Sequence, residues 1–128
     1  MALVAFVIAL ALIEYAVFGA LVGRARVRCK LLAPATTGNE TFERYFRAHY
    51  NTLEQLVVFV PSMWIFGSFV SPLWAAGLGL IFIIGRAVYF RSYVADPAKR
   101  GAGFGLTMLA NFVLLLGGLA GAALAFMR

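Results

Sequence analysis

Between Gln55 and Gly85 the chain runs for 31 residues without a formal charge. No other feature constrains the fold as strongly. A helix that crosses the hydrocarbon core of a bilayer needs about 20 apolar residues. The block is therefore too long for one span and too short for two. Its centre reads Gly67-Ser68-Phe69-Val70-Ser71-Pro72, where Ser71 and Pro72 have the form of an N-cap and a first-turn proline. The block is a helical hairpin whose two arms complete their length in the polar sequence on either side. Met1–Gly23, interrupted only by Glu14, and Ala102–Met127 supply one further span each.

Helix 2 is expected to begin near Thr37-Gly38-Asn39-Glu40, in the pattern of a capping box, and helix 4 at Asp96-Pro97, a cap followed by a proline. The expected fold is all-α: a single-domain, four-helix transmembrane bundle with spans near 2–24, 38–68, 72–95 and 97–127. A soluble fold does not suit the composition. The chain is 63% hydrophobic and 12% charged, against about 45–50% and about 25% in soluble domains. A chain of 128 residues has too much surface for its volume to hide that excess from water.

The net charge of +6 does not point to nucleic acid, because the basic residues adjoin the apolar runs and mark membrane boundaries. Arg24, Arg26, Arg28 and Lys30 follow helix 1, and Arg91, Lys99 and Arg100 surround the turn between helices 3 and 4. The hairpin between helices 2 and 3 carries no charge. Positive-inside bias places the first and third loops in the cytoplasm and both termini outside, an N-out/C-out topology. No basic segment precedes the first apolar run, so a cleaved signal peptide is not expected. A single cysteine, Cys29, and a single histidine, His49, make a disulfide scaffold or a metal cluster the wrong expectation.

Depth along the helices locates the chemistry. At about 1.5 Å per residue, Glu54 lies about 20 Å from the hairpin turn and Arg86 about 21 Å, so opposite charges meet at one level of adjacent helices. Arg47, Asn51 and Glu54 share one face of helix 2, and Arg86, Tyr89 and Tyr93 share one face of helix 3. Arg100 opens helix 4 at the same level. The expected result is a polar cleft on the cytoplasmic side. One reading is that these groups only neutralise one another as ion pairs between helices. The other is a ligand site, favoured because the arginines outnumber Glu54 and suit a dicarboxylate or polyanion.

The run Arg47-Ala48-His49-Tyr50-Asn51-Thr52-Leu53-Glu54 resembles the RAHxNTLE block of microsomal glutathione transferases in the MAPEG family (membrane-associated proteins in eicosanoid and glutathione metabolism). Phe42-Glu43-Arg44 before it, and Gly85-Arg86-Ala87-Val88-Tyr89 with Tyr93 and Arg100 after it, resemble the same family. The resemblance implies a homotrimer of four-helix protomers, with glutathione bound between neighbouring subunits near the cytosolic face. It implies glutathione contacts at Arg47, His49, Asn51, Glu54, Arg86, Tyr89 and Tyr93, with Arg26 reaching the ligand from the adjacent subunit. Arg100 resembles the arginine that stabilises the thiolate, which makes it the catalytic candidate.

These residue types suit that ligand, which carries two carboxylates, one ammonium and one thiol. Arginines hold carboxylates, Glu54 meets the ammonium, and a cation beside the thiol raises the fraction present as thiolate. The expected activity is transfer of glutathione to a hydrophobic electrophile, with glutathione peroxidase activity as a companion. Phe104, Met108 and Phe112 form a stripe on helix 4 along which an apolar substrate would arrive from the bilayer; lipid contact or subunit packing explains the stripe equally well. The implied location is a multi-pass protein of a bacterial inner membrane or the endoplasmic reticulum, its site facing the cytoplasm.

Other features have plainer readings. Glu14, about 15 Å deep, is expected to hydrogen-bond within the bundle, with Asn111 as a partner. The sharper alternative is a small proton-coupled multidrug transporter built on Glu14. A catalytically silent scaffold that binds lipid or partners is a third class. Gly117 and Gly121 form a GxxxG step, read as ordinary bundle packing. Cys29 is expected to be an exposed loop thiol.

Overall fold

A computed structural model describes residues 1–128 as four long helices: α1 (Ala2–Arg28), α2 (Glu40–Phe69), α3 (Pro72–Ala95) and α4 (Gly101–Phe126), with a short 3-10 turn at Pro97–Lys99. All four are long and apolar enough to cross a bilayer. Each of α1 and α4 packs against both α2 and α3, so the central hairpin is flanked by the two outer helices.

Local chemistry sets the ends of these helices. The Ser71 Oγ accepts from the Trp74 N–H at 3.3 Å and Pro72 occupies the first turn, which starts α3 with only Val70 and Ser71 between it and the end of α2. The start of α2 departs from the capping-box expectation. Asn39 is the cap, its Oδ1 accepting from the Phe42 N–H at 3.0 Å. The third helical position is Phe42, which has no carboxylate to return the bond, so Thr37 plays no part. Helix α1 continues to Arg28, beyond the expected end at residue 24, because nothing in Arg24–Arg28 breaks a helix. At the other turn Asp96 Oδ1 caps the Ala98 N–H at 3.1 Å, but Pro97 opens only the 3-10 turn. Regular α4 begins at Gly101, leaving Arg100 at the junction.

Arg44 of α2 locks that junction. Its Nη1 donates to the Ala95 carbonyl at 3.0 Å and the Val94 carbonyl at 3.4 Å, satisfying the last turn of α3. Its Nη2 pairs with Glu40 at 2.6 Å.

The interior is two apolar clusters separated by a polar layer. The larger cluster includes Val4, Val7, Ala11, Leu56, Phe59, Met63, Phe82, Ala110 and Leu114, with the Phe59 and Phe82 rings stacked at 3.8 Å. The smaller one joins Phe18, Ala48, Tyr89 and Phe90. The polar layer draws on every helix and includes Glu14, Thr52, Arg86 and Thr107. The outer faces are apolar, with Phe6, Ile13, Trp64, Trp74, Leu116 and Leu119 exposed, as expected where lipid is the solvent. The GxxxG step is consumed inside the bundle, Gly117 against Phe66 and Gly121 against Phe69 and Val70. Asn111 does not partner Glu14. It lies on α4, and its Nδ2 donates to Gln55 Oε1 at 3.1 Å across the α2–α4 seam.

Candidate active site

At the end of the bundle bearing the arginine-rich connections, α2, α3 and the start of α4 leave an open cleft of about 570 Å³. That volume lies in the range of small-molecule sites, about 300–1,000 Å³. Its walls are Arg47 and Asn51 of α2, Tyr89 and Tyr93 of α3, and Arg100, Gly101 and Phe104 at the start of α4. No carboxylate lines it.

Helical spacing explains the two long walls. Arg47 and Asn51 are four residues apart on α2, as are Tyr89 and Tyr93 on α3, so each pair stands on one face. The two tyrosine rings stack with centroids 5.5 Å apart. Arg100 is placed by the junction that Asp96 and Arg44 hold, and its Nη1 donates to the Pro97 carbonyl at 3.0 Å. Close approach of α3 and α4 requires Gly103, where a Cβ would overlap the Tyr89 backbone. This contact sets the width of the cleft.

Arg86 departs most from the sequence expectation. It is fully buried and does not line the cleft. Its Nη2 donates to Asn51 Oδ1 and Thr52 Oγ1, both at 2.9 Å, and its Nη1 to Thr107 Oγ1 at 3.4 Å. Both threonine hydroxyls donate to carbonyls one turn back in their own helices, Ala48 and Gly103, at 2.9 Å. Their lone pairs therefore face the guanidinium. The Arg86 cation also lies 4.2 Å from the centre of the Tyr89 ring. Arg86 thus stands behind the cleft and fixes two of its walls, Asn51 and Tyr89. Glu14 of α1 has its Oε1 buried without a hydrogen-bond partner.

The alternative reading, in which Glu54 and Arg86 neutralise one another as an ion pair, is not met: the one salt bridge in the chain is Arg44–Glu40. Equal depth brought the two to one level, but Glu54 is exposed on the outer side of α2, whereas Arg86 turns into the bundle. His49 is not on the cleft face either. Two residues from Arg47, it points to α1, where its ring stacks on Tyr15 at 4.3 Å and faces Gly19. Arg26, in the last turn of α1, is tied to the loop that follows in the same chain, donating to the Ala35 carbonyl at 2.7 Å with its guanidinium 4.5 Å from the Phe42 ring. Of the α4 stripe, Phe104 reaches the cleft; Met108 is half-buried and Phe112 exposed further along the helix.

Thr52, Thr107 and Gly103 have roles that the sequence did not assign to them. The available signal was the threonines' depth: Thr107 interrupts an apolar stretch and Thr52 follows Asn51, both near the level calculated for Arg86, where a hydroxyl needs a partner.

Comparison with known proteins agrees with this architecture. The family model described as MAPEG family matches residues 3–120. Human microsomal glutathione S-transferase 2 is 37% identical over 125 residues, 98% of this chain and 85% of that protein. An uncharacterized protein of Synechocystis sp. is 44% identical over 115 residues, 90% of this chain and 84% of its own length. Leukotriene C4 synthase of Bos taurus is 34% identical over 99 residues, 77% of this chain and 66% of that protein. The matched range spans the cleft and reaches all four helices, so this integral membrane protein belongs to the MAPEG family.

Proposed function

We propose that the chain is a membrane-embedded glutathione transferase that conjugates the glutathione thiolate to hydrophobic electrophiles. The observation that carries this reading is the cleft itself: two guanidiniums, an amide and two phenols converge on a space with no carboxylate. Such a lining suits a small molecule with two carboxylates. Arg47 takes one of them and Asn51 and the tyrosine hydroxyls orient the peptide. Glu54, exposed on the outer side of α2 and outside the cleft lining, is left for the ammonium of a ligand that extends beyond the cleft toward a neighbouring subunit.

Arg100 is the activating group. A free thiol with a pKa near about 8.5 is mostly protonated at neutral pH, and an adjacent cation favours the thiolate, the thiol proton passing to water. The thiolate sulfur then attacks an electrophilic carbon; with an aryl halide a C–S bond forms, the C–halogen bond breaks and halide leaves. Phe104 gives the apolar electrophile a surface to enter along. The same thiolate supports glutathione peroxidase activity toward lipid hydroperoxides.

The proposal includes N-out/C-out topology with a cytoplasmic cleft, supported by the basic connections at that end. It also includes a homotrimer, in which Arg26 serves a neighbouring subunit. Light scattering of detergent-purified protein tests the assembly. Calorimetric titration of glutathione into wild type and Arg47→Ala tests the site, with binding expected only in the former. Turnover of an aryl halide at neutral pH, strongly reduced in Arg100→Ala while glutathione still binds, tests the chemistry. Binding without turnover in wild type would favour a scaffold; no binding at all would overturn the reading.

A further inference from the structure

A second pocket, of about 340 Å³, lies between α1 and α2 and shares no residue with the cleft. Leu21, Arg24, Arg28 and Cys29 come from α1 and its end, and Thr41 and Tyr45 from α2. Its depth is set by the sequence. The apolar run of α1 ends at Gly23, so Leu21 borders the hydrocarbon while Arg24 and Arg28 lie at the level of lipid headgroups.

The charges there are unbalanced. Arg24 and Arg28 are four residues apart, on one face of α1, where like charges repel unless an anion bridges them. Neither has an acidic partner within the protein: Glu40, at the start of α2, is taken by Arg44, and the chain has no other salt bridge. Across the pocket Thr41 and Tyr45 are also four residues apart and present two hydroxyls, and the Tyr45 ring is held edge-on to Phe90 at 5.8 Å. Two guanidiniums, two hydroxyl donors and an apolar floor match a phosphodiester with an acyl chain below it. Basic pockets between membrane helices recognise headgroups in this way. A free phosphate would leave the Leu21 side of the pocket unfilled.

We propose that the α1–α2 pocket binds the phosphodiester headgroup of an anionic phospholipid, with Arg24 and Arg28 holding the phosphate and Thr41 and Tyr45 donating to it. The test uses full-length protein in neutral detergent, titrated with dihexanoyl phosphatidylglycerol, dihexanoyl phosphatidylcholine or inorganic phosphate at constant ionic strength. Wild type binds the phosphatidylglycerol at least about 10-fold more tightly than the phosphatidylcholine, and the preference disappears in Arg24→Gln/Arg28→Gln. Arg91→Gln, at an exposed arginine outside both pockets, keeps it. Equal binding of the two lipids by wild type overturns the proposal whether or not the double variant folds. Inorganic phosphate binding as tightly as the phosphatidylglycerol also overturns it, by assigning the pocket to a soluble anion. A preference that persists in a folded double variant places the lipid elsewhere.

Discussion

Replacing Arg86 by lysine keeps one positive charge in the polar layer but removes the planar fork. In the native protein that fork makes two hydrogen bonds of 2.9 Å, one of 3.4 Å, and a cation–ring contact of 4.2 Å. A compact ammonium on a shorter reach keeps at most one of the two short bonds and stacks poorly on Tyr89. A lost interhelical hydrogen bond in a membrane bundle costs about 0.6–1.7 kcal/mol, and a desolvated cation–π contact is worth about 1–2 kcal/mol. The expected loss of stability is therefore about 2 kcal/mol, read as a lower melting temperature in detergent. The effect on the cleft is smaller, because only the freedom given to Asn51 and Tyr89 reaches the ligand. Glutathione affinity should fall about 5-fold to 10-fold, equivalent to about 1 kcal/mol. A cycle with Asn51→Ala separates the two routes. If Arg86 acts through Asn51, the double variant binds glutathione little worse than Asn51→Ala alone, with a coupling of at least about 0.5 kcal/mol. Wild-type affinity in Arg86→Lys, or strictly additive effects in the cycle, would refute the argument that Arg86 positions the cleft from behind.

Arg100→Ala should move the pH midpoint of conjugation upward. A cation beside the thiol lowers its pKa, so the native midpoint lies below about 8.5 and rises toward that value when the charge is removed, as pH–rate profiles of both proteins will show. Gly103→Ala should lower stability by about 1–3 kcal/mol, because the new methyl meets the Tyr89 backbone, which cannot rotate aside; thermal melts test this. Asn39→Ala removes the only side-chain cap of α2 and should cost about 1 kcal/mol in the same assay, with glutathione affinity retained. Glu14→Gln should retain glutathione conjugation within a few-fold. Loss of proton-coupled substrate uptake in that variant would instead establish a transporter.

The sequence by itself determined the four helices, the depth of each charged residue and the identity of the cleft's long walls. These follow from one-dimensional quantities: the length of apolar runs against bilayer thickness, a fixed rise per residue, and a repeat that puts positions 47 and 51, or 89 and 93, on one face. The tertiary structure decided which way each polar residue at a given depth turns. Glu54 and Arg86 share a level, yet one faces outward while the other is sealed among Asn51, Thr52 and Thr107. Rise per residue is set by backbone hydrogen bonds inside a single helix, whereas the rotation of a helix is set by what it packs against. The collision waiting at Gly103 and the hydroxyls prepared for the Arg86 fork therefore become visible only when α2, α3 and α4 are brought together.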